Sequence, residues 1–370
     1  MHRPALLPEG FRDRLPPEAE AVSSLLRTVL DTVASHGYAR VQPPLAEREA
    51  ELGRFLEGPG STRLFRVVDP LTGDGLALRP DMTAQVARIA ATRLAGQPRP
   101  LRLAYGGATV RARGTELDPA RERTQAGAEL IGADSVPACL ELIRVAIEAL
   151  GACGVAQVTV ELTLPDLVAR LASGPWPVAD PMAVATALDG KDRGALEALG
   201  AARYAALLDA AGPADEALAR LRALALGPPV AGLVEQVAAL AAALDLDTLR
   251  IDPTERHGFE YQSWLGFSFF GWVNGAPLRA EVGRGGAYAV LDGAGGREPA
   301  VGFSLYVDPL AEAGLGVAPR RRVFLPLGTP PEVGARLRAE GHATLAALSP
   351  DDTAERLGCT HCWDGREVIG

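Results

Sequence analysis

The chain has 370 residues, of which 48% are hydrophobic, and a formal net charge of −9. That length allows a large core and two or three domains, and the acidic balance argues against a broad nucleic-acid-binding surface. No apolar run reaches membrane-spanning length and the N-terminus carries no signal-peptide core, so the cytoplasm is the expected compartment. The four cysteines, Cys139, Cys153, Cys359 and Cys362, are too few for a disulfide scaffold in a chain this long. Lys191 is the sole lysine among abundant arginines, a bias that a GC-rich coding sequence explains.

In chain order, Pro16-Pro17-Glu18 starts a helix whose apolar residues Val22, Leu25, Leu26, Val29, Leu30 and Val33 recur at helical spacing up to His36-Gly37. Tyr38 to Glu47 reads as a strand ended by prolines. Phe65–Asp69 and Gly75–Arg79 form a hairpin. Thr83 to Leu94 is helical. Pro100 to Gly106 reads as one strand, Val110-Arg111-Ala112-Arg113 as the start of a second and Gly127 to Ile131 as a third, the last two joined by a wide loop over 114–120. Ser135 caps a helix that Gly151 stops, and Val155 to Leu162 is a strand. Leu164 to Leu244 is almost wholly alanine- and leucine-rich helix without strand signals. Strands return at Leu249–Pro253, Phe267–Val273, Leu278–Val282 and Pro299–Val307, with Gly283-Arg284-Gly285-Gly286 as a turn. The last fifty or so residues hold one strand, Val323–Leu327, and one helix, Pro331–Glu340.

The stretch from Leu78 to Gly132 carries the chemistry. It sets arginines and carboxylates on adjacent antiparallel strands, where residues two apart share a face. Such a cluster can hold a small zwitterion, with arginine for a carboxylate and acids for an ammonium or a ring N–H. A solvated sheet face is the plainer alternative.

Leu78-Arg79-Pro80-Asp81-Met82-Thr83-Ala84, Arg111-Ala112-Arg113 and Arg121-Glu122-Arg123 through Gln125-Ala126-Gly127-Ala128-Glu129 resemble motif 2 and its flank in class II aminoacyl-tRNA synthetases, most of all the histidyl-tRNA synthetase branch. The long first helix and following strand resemble that family's motif 1. The likeness runs from about residue 8 to 310. It implies an α+β fold: an antiparallel sheet flanked by helices, with an inserted helical subdomain and a short C-terminal α/β tail. The expected domains are a synthetase-like core in two parts (1–163 and 247–318), the insertion (164–246) and a C-terminal domain (319–370).

By the same resemblance, Asp81, Thr83, Arg111, Gln125 and Glu129 match positions that surround bound histidine, and Glu260 and Tyr261, in the segment His257 to Ser263, match the strand that closes over it. Asp81 and Thr83 suit an α-ammonium, Arg111 and Gln125 a carboxylate, and Glu129 an imidazole N–H. The nucleotide positions depart from the family. The catalytic arginine position holds His257, which reads as a structural histidine or a base. The motif 2 glutamate is Arg113, the Gly-Gly-Arg-Tyr-Asp turn becomes Gly285-Gly286-Ala287-Tyr288-Ala289, and the motif 3 arginine is Pro309, which offers neither charge nor backbone N–H. Adenylation needs cationic clamping of phosphates, so no aminoacylation, no catalytic residue and no cofactor are expected. Cys359-Thr360-His361-Cys362 supplies only three local candidates for a four-ligand metal site and is expected to bind none.

A histidine pocket without ATP machinery resembles the regulatory-subunit family of ATP phosphoribosyltransferase. That resemblance implies a homodimer within a hetero-octamer. It also implies a short catalytic subunit as partner, L-histidine as feedback effector in the first step of histidine biosynthesis, and no tRNA or membrane. An active histidyl-tRNA synthetase and a histidine-binding protein of another pathway are the alternatives.

Overall fold

The computed structural model describes residues 7–52, 54–55, 64–115, 118–256, 262–292, 295–317 and 320–370. The chain divides into two compact units, residues 1–316 and 317–370.

The first unit opens with α1 (Glu18–Ser35). Ala21, Val22, Leu25, Val29 and Val33 fall on one buried face, the stripe that helical spacing predicts. Tyr38 to Glu47 is not one strand. It splits into β1 (Ala39–Arg40) and β2 (Ala46–Arg48), which join different sheets. The intervening prolines cannot donate to a ladder, so the segment cannot stay in one. Next come β3 (Phe65–Val68) and β4 (Gly75–Leu78), paired as the expected hairpin and completed by β2 into a three-stranded sheet.

After α2 (Thr83–Thr92), β5 (Leu101–Val110) pairs along its whole length with β6 (Glu122–Ile131). The two strands expected over 100–113 are therefore one. Gly106 and Gly107, which break the local pattern, are held in the ladder by Ala126 and Gln125 opposite. α3 (Val136–Ala152) runs past Gly151, and its cap residue Ser135 makes no side-chain hydrogen bond to the helix end.

β7 (Gln157–Thr163) leads into α4 (Leu167–Ala172), α5 (Pro181–Asp189), α6 (Arg193–Ala198), α7 (Ala205–Leu208), β8 (Gly212–Pro213), α8 (Ala214–Ala223) and α9 (Pro228–Leu244). The insertion is helical except for the two-residue β8, which its neighbour β9 (Arg250–Asp252) recruits to the sheet. β10 (Gln262–Val273), β11 (Ala276–Leu291), β12 (Arg297–Tyr306) and α10 (Val307–Glu312) complete this unit.

The main sheet has the order β1-β5-β6-β12-β11-β10-β7-β9-β8. Its middle is antiparallel, β1 joins β5 and β9 joins β7 in parallel, and β8 closes the far edge antiparallel to β9. Gly283-Arg284-Gly285-Gly286 lies within β11 and is not a turn. These glycines answer to packing: a Cβ on Gly285 would stand 2.2 Å from the Gly302 carbonyl oxygen and 2.3 Å from the Phe267 ring.

The second unit is smaller. β13 (Arg322–Leu325), α11 (Pro331–Ala339), β14 (Ala343–Ala346), β15 (His361–Trp363) and β16 (Val368–Ile369) form a sheet of order β14-β13-β15-β16 around Val323, Leu325, Leu337 and Trp363. The sequence pattern showed only β13 and the helix, because the other strands are two to four residues long.

Candidate functional site

Register fixes the site. Cross-strand partners share a face of the sheet, and one row runs Leu103, Glu129, Gly302, Gly286, Gly266, Thr163 across six strands. Glu129 therefore looks along a floor of three glycines. The next row places Tyr105, Gly127, Ser304 and Arg284 beside it. A small pocket open to solvent lies over these rows, lined by Thr83, Glu129, Gln262, Arg284, Tyr288 and Ser304 among others.

Glu129 is 1% exposed. Its Oε1 accepts from the Tyr105 hydroxyl at 3.0 Å and its Oε2 from the Tyr288 hydroxyl at 2.7 Å. Burial drives the Glu129 carboxyl up to about 8, reinforced by the charge of Asp81 and opposed by the two tyrosine hydroxyls. Burial likewise pushes the Tyr105 hydroxyl well above its ordinary value.

Asp81 and Thr83 sit at the start of α2. Asp81 Oδ1 accepts from the Thr83 amide at 2.7 Å, and Oδ2 accepts from Gln125 Nε2 at 2.8 Å. Gln125 Oε1 accepts from the Met82 amide at 3.2 Å. Ser304 Oγ lies 2.9 Å from the Tyr105 hydroxyl and accepts from Gln125 Nε2, which closes the network. Asp81, Thr83, Gln125 and Glu129 are thus tied into one buried polar cluster, through Tyr105 and Ser304.

Gly302 is required here: a Cβ would lie 1.5 Å from Glu129 Oε2. Gly127 leaves room for the Tyr105 ring, whose Cζ would be 2.6 Å from a Cβ at that position. A cluster of carboxylate, hydroxyls and amide over a glycine floor can take a flat ligand that donates N–H groups.

Arg111 stands apart from the cluster, just beyond β5. Its Nη1 donates to Asp118 Oδ2 at 3.1 Å, and Arg123 pairs with the same carboxylate oxygen. Burial first, then the nearby charge of Arg111, lowers the Arg123 pKa. Arg14 Nη2 pairs with Asp308 at 2.5 Å, and Asp308 Oδ2 accepts from the Thr124 amide at 2.7 Å. Pro309 follows in α10. His257, Glu260 and Tyr261 lie outside the described residues.

Motif spacing did not single out Tyr105 or Ser304, or give Tyr288 and Arg284 a role. Tyr105 could have been found from period-two alternation, since it lies opposite Gly127, two residues before Glu129. Ser304 had no local signal, because its place depends on β12 pairing with β6 from 179 residues away. Among the described residues no group of three or more His, Cys, Asp or Glu could hold a metal ion.

The histidyl-tRNA synthetase family model matches residues 10–310. An ATP phosphoribosyltransferase regulatory subunit from Rhodospirillum centenum is 43% identical, the match covering 98% of this chain and 96% of that protein. One from Gluconobacter oxydans is 41% identical, covering 97% and 95%. Among solved structures, an ATP phosphoribosyltransferase regulatory subunit/histidyl-tRNA synthetase from Bacillus halodurans superposes with a TM-score of 0.82 at 25% identity, covering 97% of both chains. A histidyl-tRNA synthetase from Nostoc superposes with a TM-score of 0.77 at 18% identity, covering 98% of this chain and 91% of that one.

Proposed function

The chain belongs to the family of ATP phosphoribosyltransferase regulatory subunits, built on the class II histidyl-tRNA synthetase fold, and from that premise we propose that it is a histidine-sensing activator without chemistry of its own. On this reading it binds and activates a short catalytic subunit and lends it feedback inhibition by L-histidine, in the first step of histidine biosynthesis. It acts in the cytoplasm as a homodimer within a hetero-octamer and takes no tRNA. Among the described residues no helix is long and apolar enough to cross a membrane.

The observation that carries the reading is Glu129, buried between two tyrosine hydroxyls at the end of a glycine floor. An imidazole N–H would hydrogen-bond that carboxyl and favour its ionised form, which a ligand without the donor could not do. Asp81 and Thr83 receive the α-ammonium, Arg111 and Gln125 the carboxylate, and Glu260 and Tyr261 close the site. Asp81 already serves the Thr83 amide and Gln125, and a carboxylate has lone pairs for further donors.

The alternative of an active synthetase is disfavoured by the opposite end of the same strands. There Arg111 and Arg123 share Asp118, Arg14 pairs with Asp308, and Pro309 offers no cation. A triphosphate would meet paired charges instead of a clamp. Histidine influences the complex only through different affinity for its states.

The test is reconstitution. Adding the purified chain to a short catalytic subunit should form a stable complex with raised phosphoribosyltransferase activity that histidine inhibits. Neither chain should support histidine-dependent ATP–pyrophosphate exchange. Failure of the two chains to associate, or exchange above a no-enzyme control, would overturn the reading.

A further inference from the structure

Lys191 occupies a position that backbone energetics assign to another residue. α5 ends in a Schellman motif: the Lys191 amide donates to the Leu188 carbonyl at 2.9 Å and the Asp192 amide to the Ala187 carbonyl at 2.8 Å. The residue after the cap must then be left-handed, and Lys191 has φ 54°. Glycine or asparagine is the usual occupant, because a side chain there crowds the backbone. The chain's one lysine, amid 36 arginines, stands at this unfavourable place.

Its side chain supplies the reason. Nζ donates to Asp252 Oδ2 at 2.8 Å and Thr254 Oγ1 at 2.9 Å, and lies 3.3 Å from Glu255 Oε2. Three acceptors converging on one nitrogen suit a compact ammonium with three donors better than a planar guanidinium fork. Asp252 Oδ1 accepts in turn from the Thr254 amide and hydroxyl. A second tie lies next to it: the Arg256 amide donates to Asp189 Oδ1, at the end of α5, at 2.7 Å. The α5–α6 corner therefore grips residues 252–256 at successive points.

The gripped segment matters because of its neighbours in sequence and register. Asp252 pairs with Thr163, at the end of the row that runs through Gly266, Gly286 and Gly302 to Glu129. Residues 252–256 also lead directly to Glu260, Tyr261 and then Gln262, which lines the pocket. Thr163, paired with Gly266 on one side and Asp252 on the other, is fully buried, and its Oγ1 has no hydrogen-bond partner among the described residues.

We propose that Lys191 is a positioning residue that ties the helical insertion to residues 252–256, at the end of the row that runs to Glu129, so that the placement of the insertion sets the affinity of the pocket and ligand binding in turn restrains the insertion. The inference rests on the reading of the pocket as a histidine site. By reciprocity, anything that moves the α5–α6 corner changes histidine affinity by the same factor that histidine exerts on that movement.

The test uses the full chain as wild type, Lys191→Met and Lys191→Gly. Lys191→Gly removes the ammonium while giving the backbone the residue it prefers, so the helix end stays intact. Histidine affinity is measured by calorimetry, the melting temperature by scanning calorimetry, and amide exchange over 250–256 with and without histidine. Both variants should stay folded, exchange faster over 250–256, and bind histidine on the order of fivefold to tenfold more weakly, the lower range of coupled sites. If wild type binds histidine and both variants bind it within about twofold of wild type, the coupling is wrong whatever the exchange shows. If wild type binds no histidine, the pocket reading fails separately, and unchanged exchange over 250–256 then also overturns the role of Lys191.

Discussion

The two ends of β6 handle buried polarity in opposite ways. Around Glu129 a carboxyl group is enclosed with hydroxyl donors and, among the described residues, no cation in contact, and burial pushes it up to about 8. Around Arg123, at the other end of the strand, each of the cations Arg14, Arg111 and Arg123 contacts an internal acid, Asp308 or Asp118. A site that keeps a costly, incompletely compensated group is held ready for a ligand that compensates it. A site whose cations are already engaged by internal acids has less to offer an anion. On the proposed reading, the contrast separates a pocket for an amino acid from a surface without a phosphate clamp, and it can be attacked from either end.

The largest effect should come from filling the floor. A Cβ at Gly302 would fall 1.5 Å from Glu129 Oε2 and 2.9 Å from the Ala128 carbonyl oxygen. Gly302→Ala should therefore abolish histidine binding in calorimetry, a loss of about a hundredfold or more, given overpacking penalties of roughly 1–3 kcal/mol on top of the displaced carboxylate. Ordinary affinity in this variant would mean the ligand sits elsewhere. Glu129→Ala follows. Charged hydrogen bonds contribute roughly 1.5–3 kcal/mol, so binding should weaken on the order of ten- to a hundredfold. In the reconstituted complex the same change should relax histidine inhibition and leave activation largely intact.

A smaller effect should follow from Tyr288→Phe, which removes one of the two donors to Glu129. A hydrogen bond of this kind is worth roughly 0.5–1.5 kcal/mol, so affinity should fall about threefold to tenfold. The same carboxyl makes stability depend on pH. Its folded pKa of about 8 lies above the ordinary glutamate value of 4.5. Its contribution to stability is therefore fully present below the unfolded pKa and is lost as pH rises through the folded one. The melting temperature of the unliganded protein should thus fall, relative to Glu129→Gln, as pH rises from about 4.5 to about 8, and level off above that. Parallel melting curves for the two proteins would show that Glu129 does not titrate in this window.

Much of this contrast was legible in the sequence, and the exceptions share a cause. Asp81, Thr83, Gln125 and Glu129 lie within one hairpin and the helix before it, so spacing alone groups them. The departure of Pro309 from a charged motif needs no structure to see. Tyr105 and Ser304 depend on strand register, and that depends on contacts far apart in the chain. Gly283 to Gly286 carry the local signature of a turn, yet they are glycines because Phe267, Gly302 and Gln262 come too close for a Cβ. Lys191 reads as compositional accident until its φ and its three acceptors are known. Arg111 was grouped with the pocket, and the structure shows it held by Asp118.

That last pairing gives the smallest prediction and the one with a distinctive sign. If Arg111 receives the histidine carboxylate, Asp118 is the ligand's competitor, because both anions want the same guanidinium. The pair is partly exposed, 36% for Arg111 and 29% for Asp118, so solvent screens it. Such bridges are worth roughly 0.2–1 kcal/mol, which converts to a gain of about 1.5-fold to fivefold once the competitor is neutral. Asp118→Asn should therefore tighten histidine binding slightly, where every other change argued above weakens it. The gain should shrink in high salt, which screens the freed guanidinium. Arg111→Ala in the same background should erase it, because no cation is left for the two anions to share. Weaker binding in Asp118→Asn would mean that Asp118 holds Arg111 in place for the ligand, and the end of β6 that looks closed would then belong to the site.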